Sequence, residues 1–169
     1  EVIALLKDRV GFSLWMITRT HEEDWIVLNI EDDHYDVPPG AVFKWADSFC
    51  SRMVKGEGPC IAPVASEIDA YLAAPIGTQV SIGAYIGVPI TLDAGELFGT
   101  LCAIDPSTKA AAIKEELPLI RVLAKLLSTL ASQEMRALEQ SRAMDVVRSD
   151  AEQDPLTGLL NRKGWNLRV

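Results

Sequence analysis

Histidine, cysteine and clustered positive charge are all scarce in this 169-residue chain, and each shortage removes a class of function. Only two histidines occur, in His21-Glu22-Glu23-Asp24 and Glu31-Asp32-Asp33-His34. Imidazole with carboxylate can hold a divalent cation. Acidic segments beside strand ends are more simply read as solvated loops, so no metal is expected. Three cysteines, Cys50, Cys60 and Cys102, are too sparse for a disulfide framework and fit a reducing, cytoplasmic setting. A formal net charge of −8 argues against a nucleic-acid or anionic-membrane surface, because both need clustered Lys and Arg. No apolar run approaches the ~20 residues that span a bilayer, and no signal peptide is visible. Gly-rich phosphate loops of the P-loop or Rossmann pattern are missing as well. No membrane contact and no catalytic residue are therefore expected. The chain opens at Glu1 without Met and reads as a piece of a longer protein.

What is present is ordinary globular material, 49% apolar and 24% charged, enough for a core in one domain with an appendage. Its centre is the stretch 82–105, IGAYIGVPITLDAGELFGTLCAID. Residues 85–92 are rich in β-branched side chains, Asp93-Ala94-Gly95-Glu96 supplies turn chemistry, and 97–104 reads as a second strand. Two such runs predict an antiparallel hairpin, apolar enough to lie centrally in a sheet. Ahead of it, Val2, Leu5, Leu6 and Val10 predict a helix over 1–11, and 12–18 and 24–30 read as strands. Val42, Trp45, Ala46, Phe49 and Met53 fall on one helical face, which predicts a helix over 41–55 stopped by Gly56. A short strand over 60–65 and a helical turn over 68–74 follow, before Pro75 and Gly77 break regularity.

From residue 110 to about 153 there is no Gly, and the only Pro is Pro118. So long an uninterrupted run suggests a connector or coiled coil. Ile120, Ala124, Leu127, Ala131, Glu134 and Leu138 recur at spacings of four and three, a heptad seam with one polar interruption. Met144, Val147 and Ala151 resume out of phase, and such a slip locally changes the winding of a coiled coil. The other reading is that 113–130 simply packs on its own sheet.

Tyr85-Ile86-Gly87-Val88-Pro89-Ile90 and Gly99-Thr100-Leu101-Cys102-Ala103-Ile104-Asp105 resemble the paired central strands of GAF domains. Trp45-Ala46-Asp47-Ser48-Phe49-Cys50 and Gly56-Glu57-Gly58-Pro59, followed by Ile61-Ala62-Pro63, resemble a helix and strand of one GAF subgroup. The resemblance implies an α+β fold: an antiparallel sheet flanked by helices, with a long C-terminal helix and a sensory ligand pocket. Downstream, Asp154-Pro155-Leu156-Thr157-Gly158-Leu159-Leu160-Asn161-Arg162-Lys163-Gly164 resembles the opening of a GGDEF domain, the diguanylate cyclase fold. The domains expected are thus a GAF domain over 1–110, a signalling helix over 111–153 and a truncated GGDEF start over 154–169. The implied whole is a bacterial cyclase that makes cyclic di-GMP from GTP with Mg, its chemistry lying outside these residues. An EAL domain further on is left open, as is the cofactor of the sensor itself.

Strand parity places an expected ligand pocket beside Tyr85 and Cys102, roofed by Ile68, Asp69 and Tyr71, with Trp15 or Trp45 nearby. A homodimer is expected through a seam of Ile120, Ala124, Leu127, Ala131 and Leu138. Two further classes stay open: a ligand-free dimerisation module, and a thiol-based redox enzyme or sensor. Some GAF proteins resemble a free methionine sulfoxide reductase, but the gaps between Cys50, Cys60 and Cys102 match no pattern of that family. Cys102 reads as a core thiol, whereas Cys50 and Cys60 keep an open redox role. Bilin attachment lacks a cysteine with a neighbouring His.

Overall fold

Alternating apolar residues build a sheet with two buried faces. A computed structural model describes residues 1–152, with side chains to residue 144. The chain divides into two units, residues 1–129 and 130–169. In the first, helix α1 (Val2–Val10) precedes strands β1 (Leu14–His21), β2 (Asp24–Asp32) and β3 (Val42–Lys44). Helix α2 (Phe49–Val54), strand β4 (Ile61–Ala62) and the short helices α3 (Asp69–Leu72) and α4 (Ile76–Gln79) come next. Strands β5 (Ala84–Thr91) and β6 (Leu97–Asp105) complete one sheet, ordered β3-β2-β1-β6-β5-β4, with antiparallel neighbours throughout. The α+β class and the central hairpin are as the sequence predicts. Gly95 closes that hairpin at φ +85°, a conformation glycine adopts without steric cost.

The helix expected over 41–55 is a correction. Val42 and Phe43 are strand formers, and Phe43 pairs with Trp25 on the free edge of β2. A 3-10 turn over Trp45–Asp47 follows, and α2 begins only after Ser48. Ser48 is its N-cap, its hydroxyl accepting the Ser51 N–H at 3.0 Å. Gly56, at φ +76°, stands just beyond the end of α2, where a stop signal was expected.

A bulge sets the inner face of β2. Ile17 pairs with Asn29 and Thr18 with Val27, so Leu28 is left over and stands 47% exposed. That extra residue turns Trp25 and Val27 to the same side as Ile30 and buries both.

The opposite face of the sheet carries Trp15, Ile86, Val88, Leu101 and Ala103, all buried. A 3-10 segment over Ala111–Glu116 leads into α5 (Leu117–Glu152). Pro118 is tolerated there because the first turn of a helix has no intrahelical use for its N–H. Ile120 and Ala124 lie one turn apart and are buried within the protomer. The Thr91 N–H donates to Ser128 Oγ at 3.1 Å, and Ser128 Oγ donates to the Ala124 carbonyl at 2.9 Å, fastening the start of α5 to β5.

The seam expected on this helix is corrected accordingly. Ile120 and Ala124 face their own sheet, Leu127 is half-buried, Ala131 is buried and only Leu138 is open. Besides Leu138 and Met144, the exposed apolar side chains of the helix are Val122, Leu126 and Leu130, at intervals of four. In the second unit α5 runs on to Glu152. The cyclase-like segment from Asp154 onward, Gln153, and the side chains of Val147 and Ala151 lie outside the described residues. Among the described residues no helix is long and apolar enough to cross a membrane.

Candidate functional site

Three strands put two cross-strand rows on one face. Leu14, Ile104 and Tyr85 stand opposite one another, as do Met16, Cys102 and Gly87. Paired residues of an antiparallel sheet share a face, so these rows form one wall of a cavity of about 80 Å³. Trp25 and Phe43 extend that wall, Phe49 and Cys50 of α2 close one side, and Tyr35 and Val37 close another. Ile76 and Gln79 of α4, with Val80 and Ile82 beyond it, supply the roof.

Local hydrogen bonds hold each wall in place. The Asp32 carboxylate accepts the N–H groups of His34 (2.9 Å), Tyr35 (2.8 Å) and Val37 (2.8 Å), folding the loop that presents Tyr35 and Val37. Burial pushes the Asp32 pKa up, but those three N–H bonds and the charge of Lys7 outweigh it and hold it below the usual carboxyl value. Tyr35 donates to the Ser81 carbonyl at 2.9 Å, tying the loop to the segment after α4. Trp25 donates its indole N–H to the buried Thr18 Oγ1 at 2.9 Å, and its ring lines the cavity.

Tyr85 reaches across the floor because Gly87, two residues on, has no side chain. A Cβ there would lie 1.8 Å from the Tyr85 hydroxyl. Tyr85 instead donates to Cys50 Sγ at 3.3 Å. Its ring meets Phe49 edge-on at 5.6 Å and Tyr71 at 5.0 Å, while Phe49 and Tyr71 stack at 4.7 Å. Tyr71 is anchored behind them by donating to the Pro59 carbonyl.

The structure therefore gathers part of the expected site. Tyr85 and Cys102 line the cavity. Tyr71 stands one layer back against Phe49. Trp45 packs edge-on against Trp25 at 6.4 Å without reaching the cavity wall. Ile68 packs into the surrounding core, and Asp69 is exposed. Trp15 is on the other face of the sheet, since its neighbours Leu14 and Met16 are the ones that point in. The roof is built from 76–82 and the 33–37 loop rather than from 68–71. The same parity applied to Leu14 and Met16 was the available signal for two missed wall residues. Nothing local marks Tyr35, Val37, Ile76 or Gln79.

No charged side chain lines the cavity, and its polar groups are phenol, indole, thiol and one carboxamide. Its chemistry suits a small uncharged ligand. In volume it is roughly half the ~150 Å³ of an apolar cavity that takes up benzene. Cys60 sits elsewhere, half-buried in a groove with Arg121 and Lys125. Among the described residues no group of three or more His, Cys, Asp or Glu side chains gathers to hold a metal.

A family model for the GAF domain matches residues 1–130. No curated protein matches. Among solved structures, the GAF domain of Acinetobacter phosphoenolpyruvate-protein phosphotransferase is 13% identical, with a TM-score of 0.63 over 80% of each chain. The blue-light-absorbing form of the Thermosynechococcus elongatus PixJ GAF domain is 15% identical, with a TM-score of 0.61 over 83% of this chain and 86% of that one. The type II free methionine-R-sulfoxide reductase of Thermoplasma acidophilum is 17% identical, with a TM-score of 0.60 over 78% and 88%. At these identities the likeness is one of fold.

Proposed function

The chain belongs to the GAF family over residues 1–130, and on that premise we propose that it senses a small uncharged molecule in the cavity between the sheet and α4. GAF domains are sensor modules of signalling proteins. The observation that carries the reading is the cavity itself: apolar, free of charge, and roofed by a four-residue helix and a loop rather than by a large packed element. The direct test is a thermal-shift screen of the whole chain against small apolar and aromatic compounds, with cyclic nucleotides, purine nucleotides, amino acids and haem alongside. A ligand at a hundred times its dissociation constant adds ~2.7 kcal/mol, which raises the melting temperature plainly. A flat response to the whole panel overturns the reading and favours the dimerisation module.

The output belongs to the same proposal. Residues 111–153 act as a signalling helix, and the segment from Asp154 opens a GGDEF domain whose parent makes cyclic di-GMP from GTP and Mg in the cytoplasm. The chain acts as a homodimer joined along α5. What supports this is the cyclase-like sequence after the helix and the exposed apolar side chains Val122, Leu126 and Leu130. A coupling of ~1–3 kcal/mol between cavity and helix is enough for a useful switch.

A further inference from the structure

A second recess lies along β5, and no residue lines both it and the cavity. Its origin is the shortness of β4, whose two residues pair only with Ile86 and Tyr85. The Gly87 N–H donates to the Cys60 carbonyl at 2.7 Å, and Pro89, two residues on, has no N–H for a further rung. The Thr91 N–H goes instead to Ser128 Oγ of α5 at 3.1 Å. Between these fastenings a groove of about 580 Å³ opens, within the ~300–1,000 Å³ usual for small-molecule sites. We infer that it binds a phosphate monoester with an apolar body, the phosphate held by Arg121 and Lys125.

Charge carries the assignment of the head group. Arg121 and Lys125 line the groove one helical turn apart, a spacing at which like charges are neighbours and repel. Lys7, Arg9, Arg52 and Lys109 each face a carboxylate. Arg121 and Lys125 face none among the described residues, and no carboxylate lines the groove, although the whole chain carries a net charge of −8. A phosphate monoester brings about two negative charges at neutral pH and cancels that repulsion. The guanidinium offers it paired N–H donors, the ammonium a point charge.

Shape carries the assignment of the body. Met53 and Val54 at the end of α2, Val88 and Pro89 of β5, and Leu97 of β6 give the groove apolar walls beside the two cations. An added peptide strand is excluded at Pro89, which offers it no donor. Inorganic phosphate would satisfy only the cations, and an apolar carboxylate would bring only one charge to them.

Cys60 lines the groove half-buried, whereas Cys50 and Cys102 are buried, so its thiol is a built-in reporter of occupancy. The full chain is titrated with phenyl phosphate by calorimetry. In parallel it is alkylated with iodoacetamide, with and without phenyl phosphate, and the label is located by peptide mass spectrometry. Phenyl phosphate should bind in equimolar amount and slow the labelling of Cys60. Its dissociation constant should rise about tenfold in Arg121→Gln and in Lys125→Gln, the loss of one charge-assisted contact. It should also rise with sodium chloride. Both side chains are exposed, so neither variant threatens folding. Benzoate and inorganic phosphate should each bind about tenfold more weakly than phenyl phosphate, lacking a charge or a ring. Val37→Phe, which alters only the first cavity, should leave the titration unchanged and so keeps this site distinct from the sensor reading. Absence of both heat and protection overturns the inference, as does binding that survives both Gln variants or is matched by benzoate or inorganic phosphate. Cys60 labelling that slows with protein concentration instead of with phenyl phosphate gives the groove to a second copy and overturns it as well.

Discussion

Asp105 ends β6 with its side chain 6% exposed, and four donors converge on it. Ser13 gives its N–H (3.0 Å) and hydroxyl (2.9 Å), Ser107 its N–H (2.9 Å) and Lys109 its ammonium (2.9 Å). Burial raises the Asp105 pKa, but Lys109, Ser107 and Ser13 outweigh it and hold it below the ordinary carboxyl value. A depressed folded pKa contributes stability that is complete above the unfolded value of ~3.9 and is lost as pH falls through the folded one. Asp105→Asn should therefore cost ~1.5–3 kcal/mol at neutral pH. Circular-dichroism melts of wild type and variant should converge on acidification below about pH 4; curves that stay parallel would remove the carboxylate from the account. At this scale the sequence was legible where chemistry repeats locally. Alternation along 85–90 and 100–104 was enough to put Tyr85 and Cys102 on one face. Trp15 was misplaced because its side depends on which strand lies beside it, and the Met16–Cys102 register is a long-range pairing that no local pattern encodes. The role of Gly87 was hidden for a similar reason: its value lies in where the Tyr85 hydroxyl goes.

Helix α5 shows how one element can carry two separable apolar surfaces. Ile120 is fully buried against its own protomer, whereas Leu126 is 57% exposed. Ile120→Ala should cost ~2–5 kcal/mol in urea unfolding, while Leu126→Ala should stay within about 0.5 kcal/mol. The pair Val122→Asp and Leu126→Asp should leave that stability intact and turn a dimer into a monomer in sedimentation velocity. An unchanged dimer would move self-association off this face. The sequence foretold the helix because nothing in it breaks one, and it foretold the hairpin because the turn residues are local. Heptad spacing named Ile120 and Ala124 for a partner because burial against a sheet and burial against a second helix use the same apolar residues. The strand at Val42–Lys44 was missed for the converse reason: three residues pair there only because β2 offers an open edge.

For the molecule, the cavity lies on one side of the sheet and the sheet-facing start of α5 on the other, with the strands as the layer they share. Val37→Phe adds a ring to the 33–37 side of the cavity and should abolish any ligand-induced melting shift while leaving the unliganded melting temperature unchanged or higher. Retention of the shift would place the ligand elsewhere. The alternation Leu14-Trp15-Met16 that separates these two sides has a spectroscopic consequence. Trp25 forms part of the cavity wall, with Trp45 stacked edge-on behind it, while Trp15 is sealed into the opposite face. In two variants that each keep a single tryptophan, the other three replaced by Phe, emission from Trp25 reads cavity occupancy and emission from Trp15 reads the packing beneath the helix. The order in which the two change after rapid mixing then gives the direction in which a signal crosses the sheet.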